Sequence, residues 1–219
     1  MDRFFSSICK ILLKPIVDAF LVKEARGLEN VPKENFILTA NHQSHLDQIV
    51  TAYVCVPRGF KMIGQTDRYT GGIDRILREI AYFIGGVIPL NRKSEESRKR
   101  AIEKAIDYLK KGGILIIYPE GTRTRTGDIQ EGKTGVAKIF LKTGKPILPV
   151  GIKGTFELLP PGKAFPAIKR IIEINVGQPL YFNEELEKAK NLDQQSEECK
   201  EIMKKIAEKV MEEISMLAK

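Results

Sequence analysis

His42 and Asp47, two side chains that can share a proton, come directly after an apolar run in this chain of 219 residues. The run Phe36–Ala40 predicts a buried strand, and a helix-like pattern resumes after Asp47. The carboxyl ends of strands in an α/β sheet open into a crevice, so His42 lies where such folds carry their chemistry. Imidazole accepts protons near neutral pH, and a carboxylate on its other nitrogen fixes the tautomer. The pair predicts a general base.

The spacing of these two residues also permits other interpretations. On a regular helix His42 and Asp47 would point ~140° apart, so their pairing requires His42 to precede a helix that Ser44 begins. Ser44 with Asp47 matches a capping box as well, and that motif stabilises a helix without any catalysis. Zinc binding by His42, His45 and Asp47 is a weaker hypothesis, because no His-Glu-x-x-His set accompanies them. We therefore expect no metal and interpret His45 as a local support.

A second polar cluster follows the predicted buried strand Ile114–Tyr118. It combines a carboxylate, a glycine, a hydroxyl and a guanidinium in the consecutive residues Glu120, Gly121, Thr122 and Arg123. Glycine lets the backbone approach a ligand, and arginine donates two parallel hydrogen bonds, which suits a phosphate group. Arg92 follows another predicted strand, Val87–Leu90, and is expected at the same sheet edge; a solvated basic loop is the alternative.

Residues 127–134 satisfy the letters of the phosphate-binding P-loop, G-x-x-x-x-G-K-[ST], with Lys133 as its lysine. A P-loop begins where a buried strand ends, whereas a long polar stretch separates Gly127 from the preceding strand. Asp128 and Glu131 would also place negative charges beside a polyphosphate. The sequence therefore argues against a nucleotide-binding P-loop protein, although that function remains an alternative.

Composition is that of one folded domain, with 42% hydrophobic and 29% charged residues. The formal net charge of +8 favours anionic partners, whether phosphorylated substrates, an acidic membrane surface or nucleic acid. Cys9, Cys55 and Cys199 are distant from one another, which predicts no disulfide framework. No uncharged stretch approaches the roughly 18 residues of a spanning helix, so we expect a protein that neither crosses a membrane nor leaves the cytoplasm.

Strand and helix patterns alternate along the chain and predict a single α/β domain whose mainly parallel, mixed sheet is flanked by helices. Further strands are predicted at 60–63, 146–152 and 170–176, with helices over 73–83 and from Ser94 to Lys111. A last helix carries one apolar stripe and is expected to cover the sheet; its members are Cys199, Ile202, Ile206, Val210, Ile214 and Leu217.

The segment 1–22 is read apart from the domain at 23–219. Over residues 3–21 its apolar side chains share one side of a helix, and its polar and basic side chains share the other, at ~100° per residue. The apolar side holds Phe4, Phe5, Ile8, Leu12 and Ile16, and the polar side holds Arg3, Ser6, Lys10 and Lys14. Two interpretations stand equal: a helix packed on the domain, or an interfacial helix lying in a membrane surface.

With these residues identified, the chain resembles the bacterial 1-acyl-sn-glycerol-3-phosphate acyltransferases over residues 24–178. Four short segments match the family's motifs in order: 41–47 the N-H-x-x-x-x-D motif, 86–92 the second motif ending in arginine, 118–123 the E-G-T-R motif, and 147–150 the proline-containing fourth. Pro89 departs from the family, which has a bulky apolar residue there. The resemblance implies a glycerolphosphate acyltransferase-like fold.

The resemblance also implies an O-acyltransferase that makes phosphatidic acid from 1-acylglycerol 3-phosphate and an acyl-CoA or acyl carrier protein thioester. In that function His42 and Asp47 catalyse, Pro149 lies on the acyl-donor side, and no cofactor is needed. The phosphate-binding residues implied are Arg92, Glu120, Gly121, Thr122 and Arg123. The expected place is the cytoplasmic face of the cell membrane, with an anionic lipid surface and no nucleic acid as partner. Alternatives are another acceptor (glycerol 3-phosphate, a lysophospholipid or a lyso-ornithine lipid) or a non-catalytic basic membrane-binding module.

Overall fold

The computed structural model describes residues 1, 3–65, 82 and 85–219. Seven strands form one sheet: β1 Val22–Arg26, β2 Ile37–Ala40, β3 Phe60–Gln65, β4 Val87–Leu90, β5 Ile114–Ile117, β6 Ile147–Lys153 and β7 Ile172–Val176. The helices are α1 Arg3–Phe20, α2 Leu46–Cys55, α3 Glu95–Lys110, α4 Gly135–Thr143, the short α5 Thr155–Leu158, α6 Asn183–Ala189 and α7 Glu197–Leu217, with a 3₁₀ turn at Leu28–Asn30. The helix predicted over 73–83 lies, Tyr82 apart, outside the described residues.

The sheet confirms the predicted α/β fold and sets the direction of every strand. Its order is β1-β7-β6-β2-β5-β3-β4. Strands β2 to β6 are mutually parallel, β7 runs antiparallel to β6, and β1 runs parallel to β7. The carboxyl ends of β2 to β6 therefore share one edge with the amino ends of β7 and β1, and we call this the His42 edge, because His42 follows β2.

Alternate strand residues enter two hydrophobic cores on opposite faces of the sheet. Leu38 of β2 packs with α2 and with Val17 of α1 on one face. Ile37 packs on the other face with α3, α4 and α7. The predicted covering helix is confirmed as α7, whose stripe buries Cys199, Ile206, Val210 and Ile214 and half-buries Ile202 and Leu217.

Several element boundaries differ from the prediction. The strands β2 and β7 begin at Ile37 and Ile172 rather than at Phe36 and Arg170. The helix α3 follows the prediction, since Ser94 caps it by accepting a hydrogen bond from the backbone N–H of Ser97. Strand β1 was not predicted from the sequence, because three of its five residues are charged and give little apolar signal.

Pro89, the residue that departs from the family pattern, lies in β4 at the edge of the sheet, and its side chain is exposed. Proline lacks the N–H that a ladder requires, so edge strands are where sheets tolerate it. The strand still pairs with β3 over Val87–Leu90. The strand that leads to Arg92 therefore keeps regular β structure despite the proline.

The helix α1 contacts the domain mainly through its polar side. The hydroxyl of Ser6 donates to the carbonyl of Arg58, Lys14 lies 3.5 Å above the ring centroid of Tyr53, and the Tyr53 hydroxyl donates to Asp18. Most large apolar side chains on α1 are exposed, with Val17 buried and Ile8 half-buried; the exposed ones are Phe4, Phe5, Ile11, Leu12, Leu13, Ile16 and Phe20. Within the described part of the chain, no helix combines the length and apolar character needed to cross a bilayer.

Candidate active site

The turn between β2 and α2 wraps around the carboxylate of Asp47. One carboxylate oxygen, Oδ2, accepts from the backbone N–H of Gln43 at 2.6 Å and of Ser44 at 2.7 Å, and lies 2.9 Å from Nδ1 of His42. The other, Oδ1, accepts from the Thr155 hydroxyl at 2.6 Å. Asp47 is fully buried, so these four donors replace water around its charge.

These contacts fix the hydrogen-bonding role of each ring nitrogen of His42. Because Oδ2 already accepts two backbone N–H groups, it acts as an acceptor, so Nδ1 of His42 carries the hydrogen that it donates. The second nitrogen, Nε2, then presents its lone pair. The His42 side chain is only 13% exposed, and it lines a cavity of about 410 Å³.

The capping-box interpretation is confirmed only in part. The Asp47 carboxylate does accept the N–H of Ser44, but α2 begins at Leu46 with His45 as the preceding residue, not at Ser44. The Ser44 hydroxyl accepts from the N–H of Leu46 and donates to the carbonyl of Leu159. Ser44 therefore ties the turn to a distant segment, and His42 precedes the helix as the pairing requires.

The backbone of His42 is held by the loop that follows β5. Its N–H donates to Oε1 of Glu120 at 2.6 Å, and its carbonyl accepts from the N–H of Thr124 at 2.9 Å. The ring stacks on Tyr118, with centroids 4.0 Å apart and planes 14° from parallel. Tyr118 in turn shares a hydrogen bond with Thr51, and burial raises the pKa of its hydroxyl well above the usual value. The orientation of the His42 imidazole is thus fixed by Asp47 at Nδ1, by the loop at its backbone and by Tyr118 at its ring face.

Glu120 supports His42 rather than facing the cavity. It is almost fully buried, and its two carboxylate oxygens accept the N–H groups of His42 and Gln130. Burial raises the pKa of this carboxyl to about 7, against the opposing effect of the two backbone hydrogen bonds. The motif pattern alone predicts Glu120 as a phosphate ligand, but its contacts with two backbone N–H groups make it a positioning residue.

The remaining residues of this loop surround the cavity together with Arg92. Gly121, Thr122 and Arg123 line the cavity, and the guanidinium of Arg92 donates to the carbonyl of Gly121. The expectation that Arg92 reaches the same sheet edge is therefore confirmed. Gly121 has a φ of +68°, a left-handed conformation that glycine adopts without strain.

Two further residues at this site carried no clear signal in the sequence. Lys133, from the P-loop look-alike, lines the cavity, and its Nζ lies 3.2 Å from where a Cβ on Gly121 would stand. Thr155 lies far along the chain after β6, and only the three-dimensional fold brings it to Asp47. The order of motifs gives no hint of Thr155, and the sequence marks Lys133 only as the lysine of the P-loop pattern.

The segment after β6 also supports the turn between β2 and α2 at a second point. The side-chain amide of Asn41 exchanges two 2.8 Å hydrogen bonds with the backbone of Ile152. These side-chain bonds tie Asn41 to β6 just beyond Ala40, the last residue of β2 in the β2–β6 ladder. Pro149, the predicted donor-side residue, lies buried inside β6 opposite Thr39 and is not among the residues that line the cavity.

His45 also lines the cavity, beside Arg123. Burial lowers the pKa of its imidazole, and the nearby Arg123 charge lowers it further. A neutral His45 adds no positive charge to the site. Across the described residues, no three histidine, cysteine, aspartate or glutamate side chains are grouped closely enough to hold a metal ion.

The P-loop interpretation does not fit the observed geometry. The residues that directly follow β5 are Tyr118–Glu120, and Gly127 lies further along the loop, where its carbonyl accepts from the amide of Gln43. A P-loop requires its first glycine at the strand end so that successive N–H groups cradle the phosphates. Here the same stretch contacts the turn between β2 and α2 through Gln43.

Comparison with known proteins agrees with this geometry. The Acyltransferase family model matches residues 23–153. A chloroplastic 1-acyl-sn-glycerol-3-phosphate acyltransferase of Brassica napus is 27% identical over 82% of this chain and 51% of the relative. The 1-acyl-sn-glycerol-3-phosphate acyltransferase of Borreliella burgdorferi is 34% identical over 72% of this chain and 58% of the relative. This chain spans about half the length of the curated relatives it matches.

A solved structure extends the comparison to the fold. The crystal structure of the 1-acyl-sn-glycerophosphate acyltransferase from Thermotoga maritima superposes with a TM-score of 0.60 at 26% identity, covering 97% of this chain and 78% of that one. The family match includes the strands that carry His42 and the Glu120–Arg123 loop, and the structural match includes nearly the whole chain. This chain belongs to the Acyltransferase family.

Proposed function

We propose that this chain transfers an acyl group from an acyl-CoA or acyl carrier protein thioester to the 2-hydroxyl of 1-acylglycerol 3-phosphate, giving phosphatidic acid. One observation carries the proposal. The Nδ1 of His42 lies 2.9 Å from Asp47, and the same cavity is lined by Gly121, Thr122 and Arg123. A histidine that is suited to act as general base and groups that are suited to bind an anion therefore line one cavity.

His42 is the proposed general base. Its Nε2 takes the proton of the acceptor hydroxyl as the oxygen attacks the thioester carbonyl, and Asp47 stabilises the imidazolium that forms. The carbon–sulfur bond then breaks, and the thiolate leaves and takes up the proton that His42 holds. A thiol with a reference pKa of about 8.5 is a far better leaving group than an alkoxide, so no covalent acyl-enzyme is required.

The phosphate of the acceptor is proposed to bind beside the Gly121–Arg123 stretch. Arg123 and Lys133 supply positive charge, and Thr122 supplies a hydroxyl. Arg92 holds the loop in place through the Gly121 carbonyl and adds to the positive field. Fixing the phosphate positions the glycerol hydroxyl near His42, where proximity accounts for much of the rate.

The acyl chain is proposed to occupy the apolar side of the same cavity. Aliphatic side chains from four elements form this side, including Ile63, Leu90, Ile102 and Ile139. An alkyl chain placed there leaves water at roughly 0.8 kcal/mol per buried methylene. The thioester carbonyl would then lie between the apolar side and His42.

The exposed apolar side of α1 favours the interfacial interpretation of the N-terminal segment. A helix that packs its polar side on its own domain and exposes phenylalanine and leucine would leave a large apolar surface in water. Lipid acyl chains can cover that surface while Arg3 and Lys10, both exposed, meet anionic head groups. We therefore propose peripheral binding at the cytoplasmic face of the cell membrane, where thioester donors are present.

The direct test is acyl transfer by the purified chain from palmitoyl-CoA and from palmitoyl carrier protein into a panel of acceptors. The panel contains 1-acylglycerol 3-phosphate, glycerol 3-phosphate, a lysophosphatidylcholine and a lyso-ornithine lipid. We expect the highest kcat/KM for 1-acylglycerol 3-phosphate. A higher kcat/KM for another acceptor would reassign the substrate, and absence of transfer to every acceptor would contradict the proposed activity.

A further inference from the structure

The segment that connects α5 to β7, residues 160–170, exposes apolar side chains to solvent. Every residue from 161 to 170 is exposed, and Phe165 and Ile168 are 84% and 76% exposed. Two contacts anchor this 160–170 loop: the N–H of Ala167 donates to the carbonyl of Leu158, and Nε of Arg170 donates to the carbonyl of Val22. An anchored loop thus presents two large apolar side chains to water.

The same loop carries only positive charge. Lys163, Lys169 and Arg170 flank the two apolar residues, and residues 160–170 contain no aspartate or glutamate. Apolar tips between basic side chains fit the interface of an anionic bilayer, where the tips enter the acyl-chain region and the cations stay among phosphates.

The topology of the sheet places this loop at the His42 edge. The loop leads into the amino end of β7, which lies at the same edge as the carboxyl ends of β2 and β5. At its start, Pro161 lines the cavity that also contains His42. At its end, the N–H of Ile172 donates to the carbonyl of Leu21.

Leu21 directly follows α1, so the loop also adjoins the helix that we place at the membrane. The last turns of α1 expose Ile16 and Phe20. The 160–170 loop therefore extends from the mouth of the cavity to the end of an exposed apolar helix. One lipid surface can contact both.

We propose that the 160–170 loop is a second membrane-contacting element, which inserts Phe165 and Ile168 into an anionic bilayer and holds the cavity mouth at the lipid surface. This inference rests on the proposed function in one respect, since a lipid acceptor is what makes a bilayer the expected surface. An acidic carrier protein would match the charge of the loop, but the adjoining apolar residues of α1 favour lipid as the occupant.

A tryptophan reporter tests the proposal, because the chain contains no tryptophan. Phe165→Trp in the full chain is mixed with phosphatidylcholine vesicles, with and without phosphatidylglycerol, and with vesicles of brominated lipid. The matched control is Tyr181→Trp, an exposed aromatic position directly after Leu180, which bridges to the first residue of β6 at the opposite edge. We expect a blue shift and bromine quenching at position 165 with anionic vesicles, and neither at position 181.

The double variant Phe165→Ser/Ile168→Ser provides a second measurement. Removing two inserted side chains lowers vesicle partitioning by roughly tenfold or more, whereas the thermal midpoint stays unchanged because both residues are exposed. Lys163→Gln/Lys169→Gln lowers partitioning roughly fivefold for each lysine on anionic vesicles and leaves binding to neutral vesicles unchanged.

Three results would overturn the proposal. The first is an unchanged tryptophan emission at position 165 while the chain sediments with vesicles. The second is a failure of the chain to bind vesicles at all, and the third is an emission change at position 165 with acyl carrier protein but not with lipid. Acyl transfer to a water-soluble short-chain lysophosphatidate is measured on the same samples. Absence of this transfer in the unmodified chain would contradict the proposed function. Its persistence in the double serine variant would show that only the membrane contact had changed.

Discussion

Thr155 donates its hydroxyl hydrogen to Oδ1 of Asp47 at 2.6 Å, although 108 positions separate the two residues in the chain. Asp47 uses its other oxygen for His42 and two backbone N–H groups. Thr155 therefore supplies the hydrogen bond to the second oxygen of this carboxylate. It lies two positions beyond the region that the family model matches, which ends at residue 153.

Replacing Thr155 with valine, which has nearly the same shape, is expected to lower kcat about tenfold with little change in the acceptor KM. The buried Oδ1 loses its donor, at a cost of about 1–3 kcal/mol, so the carboxylate no longer holds the imidazole in one orientation. A less satisfied carboxylate also stabilises the imidazolium more, so the acidic limb of the kcat–pH profile should move to higher pH.

Two variants control this experiment. Thr155→Ser keeps the hydroxyl and should restore most of kcat. Thr143→Val removes a hydroxyl at the end of α4 that donates to the carbonyl of Ile139 and accepts from the N–H of Lys145, without contact to Asp47. A purely structural role for Thr155 would lower the thermal midpoint and leave the pH profile in place. That outcome would contradict the positioning role.

Glu120 should make the folded chain less stable as pH rises from about 4.5 to about 7. Burial raises the pKa of this carboxyl from 4.5 to about 7, so the folded chain binds more protons than the unfolded chain in this window. The stabilisation is complete below pH 4.5 and is lost as pH passes the folded-state pKa. The loss is about 3 kcal/mol, because one pKa unit corresponds to about 1.4 kcal/mol.

Urea unfolding of the wild type and of Glu120→Gln at several pH values measures this effect. The difference in unfolding free energy between the two proteins should change by about 3 kcal/mol across the window. A difference that stays constant with pH would show that Glu120 does not titrate near neutrality.

Lys133→Met is expected to raise the acceptor KM about tenfold or more while kcat changes little. The ammonium lies beside Gly121 in the cavity, and methionine keeps most of the side-chain length without the charge. Losing one cation that acts equally on the bound substrate and the transition state changes KM rather than kcat. Lys138→Met, in α4 and outside the cavity-lining set, is the matched control, and equal KM values for both variants would remove Lys133 from the phosphate site.

Tyr118→Leu and Tyr118→Phe should separate the ring from the hydroxyl. The ring stacks on His42, so leucine is expected to lower kcat severalfold, on the scale of about 0.5–1.5 kcal/mol for an aromatic pair. Phenylalanine keeps the stack, loses the hydrogen bond to Thr51 and should mainly reduce stability. Equal kcat values for the two variants would show that stacking does not orient the imidazole.

Local patterns in the sequence were enough to predict the strands that precede the candidate site residues and a possible pairing of His42 with Asp47. Apolar runs mark β2 and β5, and polar residues at strand ends mark the edge where Arg92 meets Gly121. The start of α2 at Leu46 was not predicted, because the Ser44 hydroxyl binds the carbonyl of Leu159 instead of capping the helix in the usual way.

The contacts that the sequence did not reveal are those between distant segments. The Asn41–Ile152 and Thr155–Asp47 hydrogen bonds depend on β6 lying beside β2, a neighbour relation that no local pattern encodes. The orientation of α1 is another case. Its amphipathic pattern was clear, but only the contacts of Ser6 and Lys14 show that the polar side faces the domain.

The central claim is that His42 takes the proton of the acceptor hydroxyl, and the turnover of His42→Ala tests it most directly. The measurement compares kcat for acyl transfer to 1-acylglycerol 3-phosphate in the wild type and in this variant, with circular dichroism to establish that both are folded. We predict a kcat at least about 10²-fold lower, the scale of general-base catalysis. A folded His42→Ala variant with the turnover of the wild type would contradict the account.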